Sequence, residues 1–142
     1  MSAGPLVVLC VEDDADIATI VELSLALDPA IEVHVAPSGE RAIEMLGAGL
    51  RPNVILLDAV LPGVAGVEVA KAIVASDFGP SFRIAFMTAA VRVQHIAEYR
   101  AVGAADVIAK PFDPMTLAER VRALASGPDD VPMHPNPSKR VG

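Results

Sequence analysis

The sequence predicts an α/β fold, in which a doubly wound, five-stranded parallel sheet lies between two layers of helices. Two continuous apolar runs, Leu6 to Val11 and Val54 to Leu57, have the character of strands buried on both faces. Segments with strand patterns and segments with helix patterns then alternate five times along the chain. This alternation is the order of a parallel sheet built from βα units.

Capping and breaking residues set the limits of the predicted elements in the first half of the chain. Apolar periodicity indicates a first helix over about Asp16 to Leu27, ended by Asp28-Pro29. After a strand at Ile31 to Ala36, Ser38 is the expected N-cap of a helix that ends near Gly47. The buried run then leads through a turn at Pro62-Gly63 into a helix over Gly66 to Ala75.

The second half continues the same alternation. The predicted elements are a strand over Arg83 to Met87, a helix over Val91 to Val102 closed by Gly103, a strand over Asp106 to Ala109, and a helix through about Leu124 with Asp113 as cap and Pro114 in the first turn. Each crossover is long enough for a right-handed parallel connection, so the expected sheet is flavodoxin-like.

Composition narrows the classes of function. A net charge of −7 argues against a dedicated nucleic-acid surface, and we expect no direct DNA binding. No apolar run approaches the ~18 residues needed to cross a membrane, and no signal peptide is recognisable, so we expect a cytoplasmic protein without a membrane partner. The single cysteine, Cys10, lies inside an apolar run and is expected to be a small buried hydrophobe.

The carboxyl-terminal residues 127–142 differ from the rest of the chain. They contain four prolines and no periodic apolar residues, which predicts a disordered tail. Its Lys139-Arg140 pair is expected to be solvated, and the alternative is a docking element. The sequence therefore predicts one folded domain over residues 1–126.

Polar side chains follow four of the predicted strands, and the carboxyl ends of parallel strands meet at one edge of the sheet. These side chains are Glu12, Asp13, Asp58, Thr88 and Lys110. Crowded acids favour a bound cation, and oxygen ligands suit Mg²⁺. Lys110 can hold an anion and Thr88 can donate a hydrogen bond. The set predicts phosphoryl transfer onto Asp58; the alternative is a group of loop caps and surface charges.

Several motifs in the chain resemble those of the receiver domain of bacterial two-component response regulators. They are Val11-Glu12-Asp13-Asp14, Leu56-Leu57-Asp58 with Leu61-Pro62-Gly63 and Gly66, Met87-Thr88-Ala89, Gly103-Ala104-Ala105-Asp106 and Lys110-Pro111-Phe112. The resemblance covers about Pro5 to Ser126. As an ordered set these motifs are highly specific, although each one alone is weak.

The resemblance implies roles for individual residues. Asp58 would accept a phosphoryl group from a sensor histidine kinase or a histidine-phosphotransfer protein. Mg²⁺ would be held by Glu12, Asp13, Asp58 and the backbone carbonyl of Val60, while Thr88 and Lys110 would contact the phosphoryl group. Such a protein catalyses only its own phosphorylation and dephosphorylation, and its other partners are a downstream protein or a second copy bound after phosphorylation.

Four positions depart from the family pattern. Val107 stands where the family usually has Tyr or Phe, and a β-branched aliphatic side chain cannot report phosphorylation by swinging a ring. Ala65 precedes Gly66, where Asp or Ser is common. Val60 and Ala90 are apolar where relatives often carry polar side chains that place the hydrolytic water. We therefore predict a long-lived phosphorylated form.

The output remains open at the level of sequence. A single-domain receiver would signal through a phosphorelay or by docking through the face formed by the fourth helix, fifth strand and fifth helix. That face is expected to expose some of Val91, Val93, His95, Tyr99, Arg100 and Val107. A phosphorylation-independent scaffold is the alternative. A haloacid dehalogenase-type phosphohydrolase is disfavoured. That class has a second Asp, the general acid, two residues after the nucleophile, and this chain has Val60 there.

Overall fold

The computed structural model describes residues 5–76, 82–89 and 93–126. The strands are β1 (Leu6–Val11), β2 (Ile31–Ala36), β3 (Val54–Asp58), β4 (Val60–Leu61), β5 (Val64–Ala65), β6 (Arg83–Thr88) and β7 (Ala104–Ala109). The helices are α1 (Ala15–Leu25), α2 (Gly39–Gly47), α3 (Gly66–Ala75), α4 (Val93–Ala101) and α5 (Leu117–Ala125). Among these residues no helix is long and apolar enough to cross a membrane.

Five strands form one parallel sheet in the order β2-β1-β3-β6-β7. The first strand therefore lies inside the sheet, and the chain builds outward from it in both directions. This doubly wound order confirms the predicted fold class, and it puts β3 at the centre. All five residues of β3 are buried, as expected of a strand covered on both faces.

Two hydrophobic clusters lie on opposite faces of the sheet, because alternate residues of a strand point to opposite sides. One cluster joins the strands to α2, α3 and α4 through residues such as Leu46, Ile73 and Tyr99. The other joins them to α1 and α5 through residues such as Leu25 and Val121. The molecule therefore has three layers, with both clusters close to the central strands.

Side-chain caps explain where the first two helices begin. The Asp14 carboxylate accepts hydrogen bonds from the backbone N–H groups of Asp16 and Ile17, and α1 begins at Ala15. The Ser38 hydroxyl accepts one from Arg41, as the sequence predicted. The end of α1 was predicted two residues too late, because the chain already turns at Ala26 to reach β2.

The predicted start of the last helix was wrong. Asp113 does accept a hydrogen bond from the N–H of Met115 at 2.9 Å, but this bond closes a turn. The N–H of Thr116 donates to the Asp113 carbonyl three residues back, and α5 begins only at Leu117. The strand before it also begins earlier than predicted, at Ala104, because Ala104 pairs with Ile84 across a register shift.

A short hairpin that the sequence did not predict lies between β3 and α3. Val60–Leu61 pairs antiparallel with Val64–Ala65, and the turn uses Gly63 at a φ of +79°. Proline followed by a glycine of positive φ is the pattern of a type II turn. The hairpin returns the chain to Gly66, whose N–H donates to the carbonyl of Ala59 at 2.9 Å.

One of the residues named for the predicted docking face is buried. Tyr99 is 6% exposed and lies in the core, so it is not one of those that the face exposes. His95 and Val107 are half-buried, and Arg100 is exposed. The predictions for Val91, for the side chain of Val93, for Ala90, for the break at 77–80 and for the tail at 127–142 lie outside the residues and side chains described.

Candidate functional site

Strand ends bring the predicted side chains to one edge of the sheet. Asp58 and Thr88 are the last residues of β3 and β6, while Glu12 and Lys110 directly follow β1 and β7. The backbone ladder continues one step beyond the strands: Glu12 N–H donates to Ala36 at 3.0 Å, and Lys110 N–H donates to Thr88 at 2.9 Å. Glu12, Asp58, Thr88 and Lys110 are thus held by the sheet backbone, whereas Asp13 lies in the bend after β1.

These residues surround a cavity of about 240 Å³. Its lining consists of Glu12, Asp13, Asp14, Ile17, Asp58, Val60, Thr88, Ala89 and Lys110. Every candidate site residue from the sequence is in this set. Sequence reasoning did not include Ile17 and Ala89; the signal for Ile17 was its position three residues after the α1 cap, which turns it toward the same edge.

Lys110 joins two of the acids. Its ammonium group donates to Glu12 Oε1 at 3.0 Å and lies 3.4 Å from Asp58 Oδ1. The Glu12 side chain is 1% exposed and that of Lys110 is 15% exposed, so the pair is poorly screened by water. The sequence assigned Lys110 to an incoming phosphoryl group and did not foresee its ion pair with Glu12.

Burial and charge act against each other on this pair. Burial raises the pKa of Glu12, and the hydrogen bonds from Lys110 and from the Asp14 N–H only partly offset that effect. Burial alone would lower the pKa of Lys110, but the hydrogen bond to Glu12 and the charge of Asp58 outweigh it, so the pKa is raised. Lys110 is therefore held firmly as a cation in the lining of the cavity.

Three carboxylates could hold a metal ion. Glu12, Asp13 and Asp58 each offer one oxygen, and these oxygens lie within 4.8 Å of one another. Glu12 and Asp58 are buried, whereas Asp13 is exposed. The donors are all hard oxygens, and the exposed Asp13 leaves room for water ligands, so the set fits a hard divalent cation.

The hairpin after β3 shapes the Asp58 side of the cavity. The Val60 N–H donates to Asp58 Oδ1 at 3.0 Å, which orients the carboxylate toward the opening. Gly66 makes this turn fit: a Cβ there would collide with the Asp58 carbonyl oxygen and lie 2.8 Å from Ala59 Cα. The Val60 side chain itself is 74% exposed at the rim.

Comparison with known families identifies the chain. The sequence model of the response regulator receiver domain matches residues 8–122, which is most of the protein. The chain belongs to the response regulator receiver domain family. Receiver domains are signalling modules, and the matched span contains every residue that lines the cavity.

The curated relatives are longer proteins. The DNA-binding response regulator MtrA of Mycobacterium tuberculosis is 34% identical over 125 residues, which cover 88% of this chain and 53% of MtrA. The phosphate regulon transcriptional regulatory protein PhoB of Pseudomonas aeruginosa is 30% identical, with 87% and 54% covered. This receiver chain therefore spans about half the length of the curated relatives it matches.

Solved receiver structures share the fold over nearly their whole length. The Vibrio cholerae chemotaxis protein CheY4 superposes with a TM-score of 0.77 at 29% identity, covering 86% of this chain and 99% of CheY4. The BeF₃-activated receiver domain of DrrB gives 0.71 at 25% identity, with 84% and 97% covered. The five-stranded sheet and its flanking helices are thus those of a receiver.

Proposed function

We propose that this receiver accepts a phosphoryl group on Asp58 from the phosphohistidine of a sensor kinase or a histidine-phosphotransfer protein, in a reaction that requires Mg²⁺. The observation that carries the proposal is the position of Asp58: a buried carboxylate at the end of the central strand, 3.4 Å from the Lys110 ammonium group, in a cavity lined by three more acids. Membership of the receiver family supports it.

The reaction exchanges one bond to phosphorus for another. An Asp58 oxygen attacks the phosphorus, the new O–P bond forms as the P–N bond of phosphohistidine breaks, and the imidazole departs with the bonding electron pair and takes up a proton. Lys110 supplies a fixed positive charge for the phosphoryl oxygens, and Thr88 supplies a hydroxyl at the same wall of the cavity. The Val60 N–H keeps the attacking carboxylate oriented.

Electrostatics favours a divalent cation in this reaction. Four carboxylates and one ammonium group line the cavity, so it repels an incoming phosphoryl group before any transfer occurs. Mg²⁺, when bound by Glu12, Asp13, Asp58 and the proposed Val60 carbonyl, would supply the positive charge that offsets this repulsion. The proposal that the Val60 carbonyl binds Mg²⁺ rests on the family resemblance. The hydrogen bond between Val60 and Asp58 is made by a different group, the Val60 N–H.

An apolar opening beside Lys110 supports a protein as phosphodonor. A cavity of about 630 Å³ is lined by Ile17, Ile20, Ala89, Lys110, Pro111, Phe112 and Pro114. Only one of these side chains is charged. Such a surface can bind apolar side chains of a protein partner and so position the partner's phosphohistidine next to Asp58. A small hydrophilic donor would make few contacts with it.

The first test is phosphorylation by a small donor. The chain is incubated with acetyl phosphate, with and without Mg²⁺, and its intact mass is compared with that of Asp58→Asn and of Asp16→Asn, an exposed α1 control outside the cavity. We expect a gain of one phosphoryl group that needs Mg²⁺ and is absent only in Asp58→Asn. No gain in a folded chain that binds Mg²⁺ would contradict the proposal and favour the scaffold alternative.

We further propose that the phosphorylated form is long-lived. The exposed rim residue Val60 is aliphatic and cannot orient a water molecule for attack on the acyl phosphate. Val60→Gln introduces such a group and should shorten the half-life by about tenfold, the effect of one hydrogen bond worth about 1.4 kcal/mol in the transition state. The half-life is read from intact mass after donor removal; loss within seconds from the unaltered chain would contradict the hypothesis.

The output we propose is docking or phosphorelay and not direct binding of DNA by these residues. MtrA and PhoB are named as DNA-binding and transcriptional regulators, but this chain aligns with about half of each. The cytoplasmic location expected from the sequence follows from the proposed partners. Electrophoretic mobility of random duplex DNA with the phosphorylated chain tests the point, and retention of DNA at physiological salt would contradict it.

A further inference from the structure

An aromatic stack connects the sheet to α4. The rings of Phe86 and Tyr99 lie with their centroids 4.5 Å apart and their planes at 25°. Phe86 is fully buried, and Tyr99 is 6% exposed. An offset ring pair of this kind has a preferred geometry, so a displacement of one ring is transmitted to the other or breaks the stack.

The strand that carries Phe86 ends at the candidate site. Phe86 lies two residues before Thr88 on β6, and residues two apart on a strand share a face of the sheet. Thr88 lines the cavity around Asp58. The ring stack is therefore attached, through two residues of one strand, to the wall that a phosphoryl group on Asp58 would contact.

The neighbouring strand offers no competing ring. Val107 of β7 is the register partner of Phe86, and it packs as a half-buried aliphatic side chain against the same cluster. The space on this face of Phe86 is filled from α4, by Tyr99. The ring that packs on Phe86 thus belongs to Tyr99 of α4 and not to position 107 of β7.

The opposite side of β7 is fastened to α5. Arg120 donates to Asp106 Oδ2 at 3.0 Å and to the Val107 carbonyl at 3.1 Å. These hydrogen bonds hold β7 and α5 together, while Tyr99 of α4 packs on Phe86 of β6. The ring pair therefore gives a change at the end of β6 a direct route to α4.

We propose that Tyr99 is the residue through which α4 responds to phosphorylation of Asp58. When the end of β6 adjusts to the phosphoryl group, the Phe86–Tyr99 stack opens and the ring becomes more exposed. The surface of α4 changes with it at His95, whose ring lies 6.4 Å from that of Tyr99. Packed cores have discrete arrangements, so a small shift at Thr88 is converted into a repacking of the ring. This inference rests on the proposed phosphorylation of Asp58.

The composition of the chain provides a direct measurement. Tyr99 is its one tyrosine and there is no tryptophan, so tyrosine emission from the full-length chain reports this ring alone. Acrylamide quenching is measured with Mg²⁺ alone and with Mg²⁺ plus acetyl phosphate, and intact mass is recorded on the same samples. We expect a larger quenching constant in the phosphorylated chain and no change in Asp58→Asn. An unchanged or smaller constant in a chain shown to be phosphorylated overturns the inference.

A second variant tests the stack without altering the reporter. Phe86→Leu removes the ring partner, and Ile73→Val, a buried change on α3 in the same cluster, is the matched control. The His95 imidazole NMR signal should shift on phosphorylation in the unaltered chain and in Ile73→Val but not in Phe86→Leu. A normal shift in Phe86→Leu overturns the inference. If no chain gains a phosphoryl group by mass, the proposed function fails and this inference fails with it. If the chains gain the group but the ring does not respond, only this inference fails.

Discussion

Lys110 illustrates how one half-buried side chain sets the chemistry of the receiver cavity. Its ammonium group lies between Glu12 and Asp58, and the raised pKa means that the ion pair adds stability below the ordinary lysine pKa of about 10.4. That contribution is lost as the pH rises through the folded-state pKa. Glu12 acts against folding at neutral pH, because burial raises its pKa and so disfavours the carboxylate form that this pH requires.

Cys10 should be unreactive in the folded chain. Burial, together with the charge of Glu12, raises the pKa of its thiol to about 12, so the nucleophilic thiolate is scarce at neutral pH. We expect iodoacetamide at pH 8 to leave the native chain unmodified and to alkylate Cys10 in guanidinium. Ser76→Cys, at an exposed position, is the positive control, and mass spectrometry reads the outcome; rapid alkylation of native Cys10 would contradict the burial.

Gly66 should not tolerate a side chain. In Gly66→Ala the new Cβ meets the backbone of Asp58 and Ala59, which cannot move without displacing the β3 end, so we expect a loss of about 3 kcal/mol. Gly47→Ala is the matched control, because nothing lies within 4 Å of a Cβ there and the residue is helical; it should gain about 0.5–1 kcal/mol. Urea unfolding measures both, and equal stabilities would contradict the close contact.

At the scale of elements, helix ends depend on which local hydrogen bond prevails. Asp14 and Ser38 cap their helices, as short polar residues usually do when they precede a segment with helical apolar periodicity. Asp113 has the same pattern but caps a turn, because Thr116 bonds back to it and the helix begins at Leu117. Both outcomes satisfy the same N–H groups locally, so sequence alone could not separate them.

The carboxyl end of α1 is linked to α5 by a salt bridge that should be sensitive to acid. Asp28 Oδ2 accepts hydrogen bonds from Arg122 at 2.6 and 2.8 Å, and the Ala30 N–H donates to the other oxygen. The bond from Ala30 and the one from Arg122 lower the pKa of Asp28. The contribution of Asp28 to the free energy of unfolding is therefore present above its unfolded pKa of about 3.9. It is lost as the pH falls through the folded-state pKa.

Asp28→Asn should consequently be less stable than the unaltered chain at pH 7, with a difference that shrinks below about pH 4. Thermal unfolding at a series of pH values measures the difference. Arg122→Gln leaves the hydrogen bond from Ala30 intact. The stability of this variant should therefore depend on pH in the acid range more than that of Asp28→Asn does and less than that of the unaltered chain. A difference that stays constant down to pH 3 would contradict the assignment to Asp28.

At the scale of the whole molecule, a divalent cation should stabilise the fold. The chain carries a net charge of −7, and three of the acids that line the cavity could share a metal ion. A ligand present at about 100 times its Kd contributes roughly 2.7 kcal/mol, which raises the Tm of a domain of this size by several degrees. We expect this rise with Mg²⁺, a smaller rise in Asp13→Asn and a full rise in Asp16→Asn. A Tm that is independent of Mg²⁺ would contradict the metal site.

The five-stranded parallel sheet, the alternation of its helices and the polar residues of the site could all be predicted from the sequence. Continuous apolar runs specify buried parallel strands, and the carboxyl ends of such strands converge whatever the details of packing, so Asp13, Asp58 and Lys110 could be predicted to meet. What each side chain contacts depends on the packing of the folded chain. Lys110 pairs with Glu12, and Tyr99 turns into the core to stack on Phe86, because long-range packing chooses among orientations that local patterns leave equivalent.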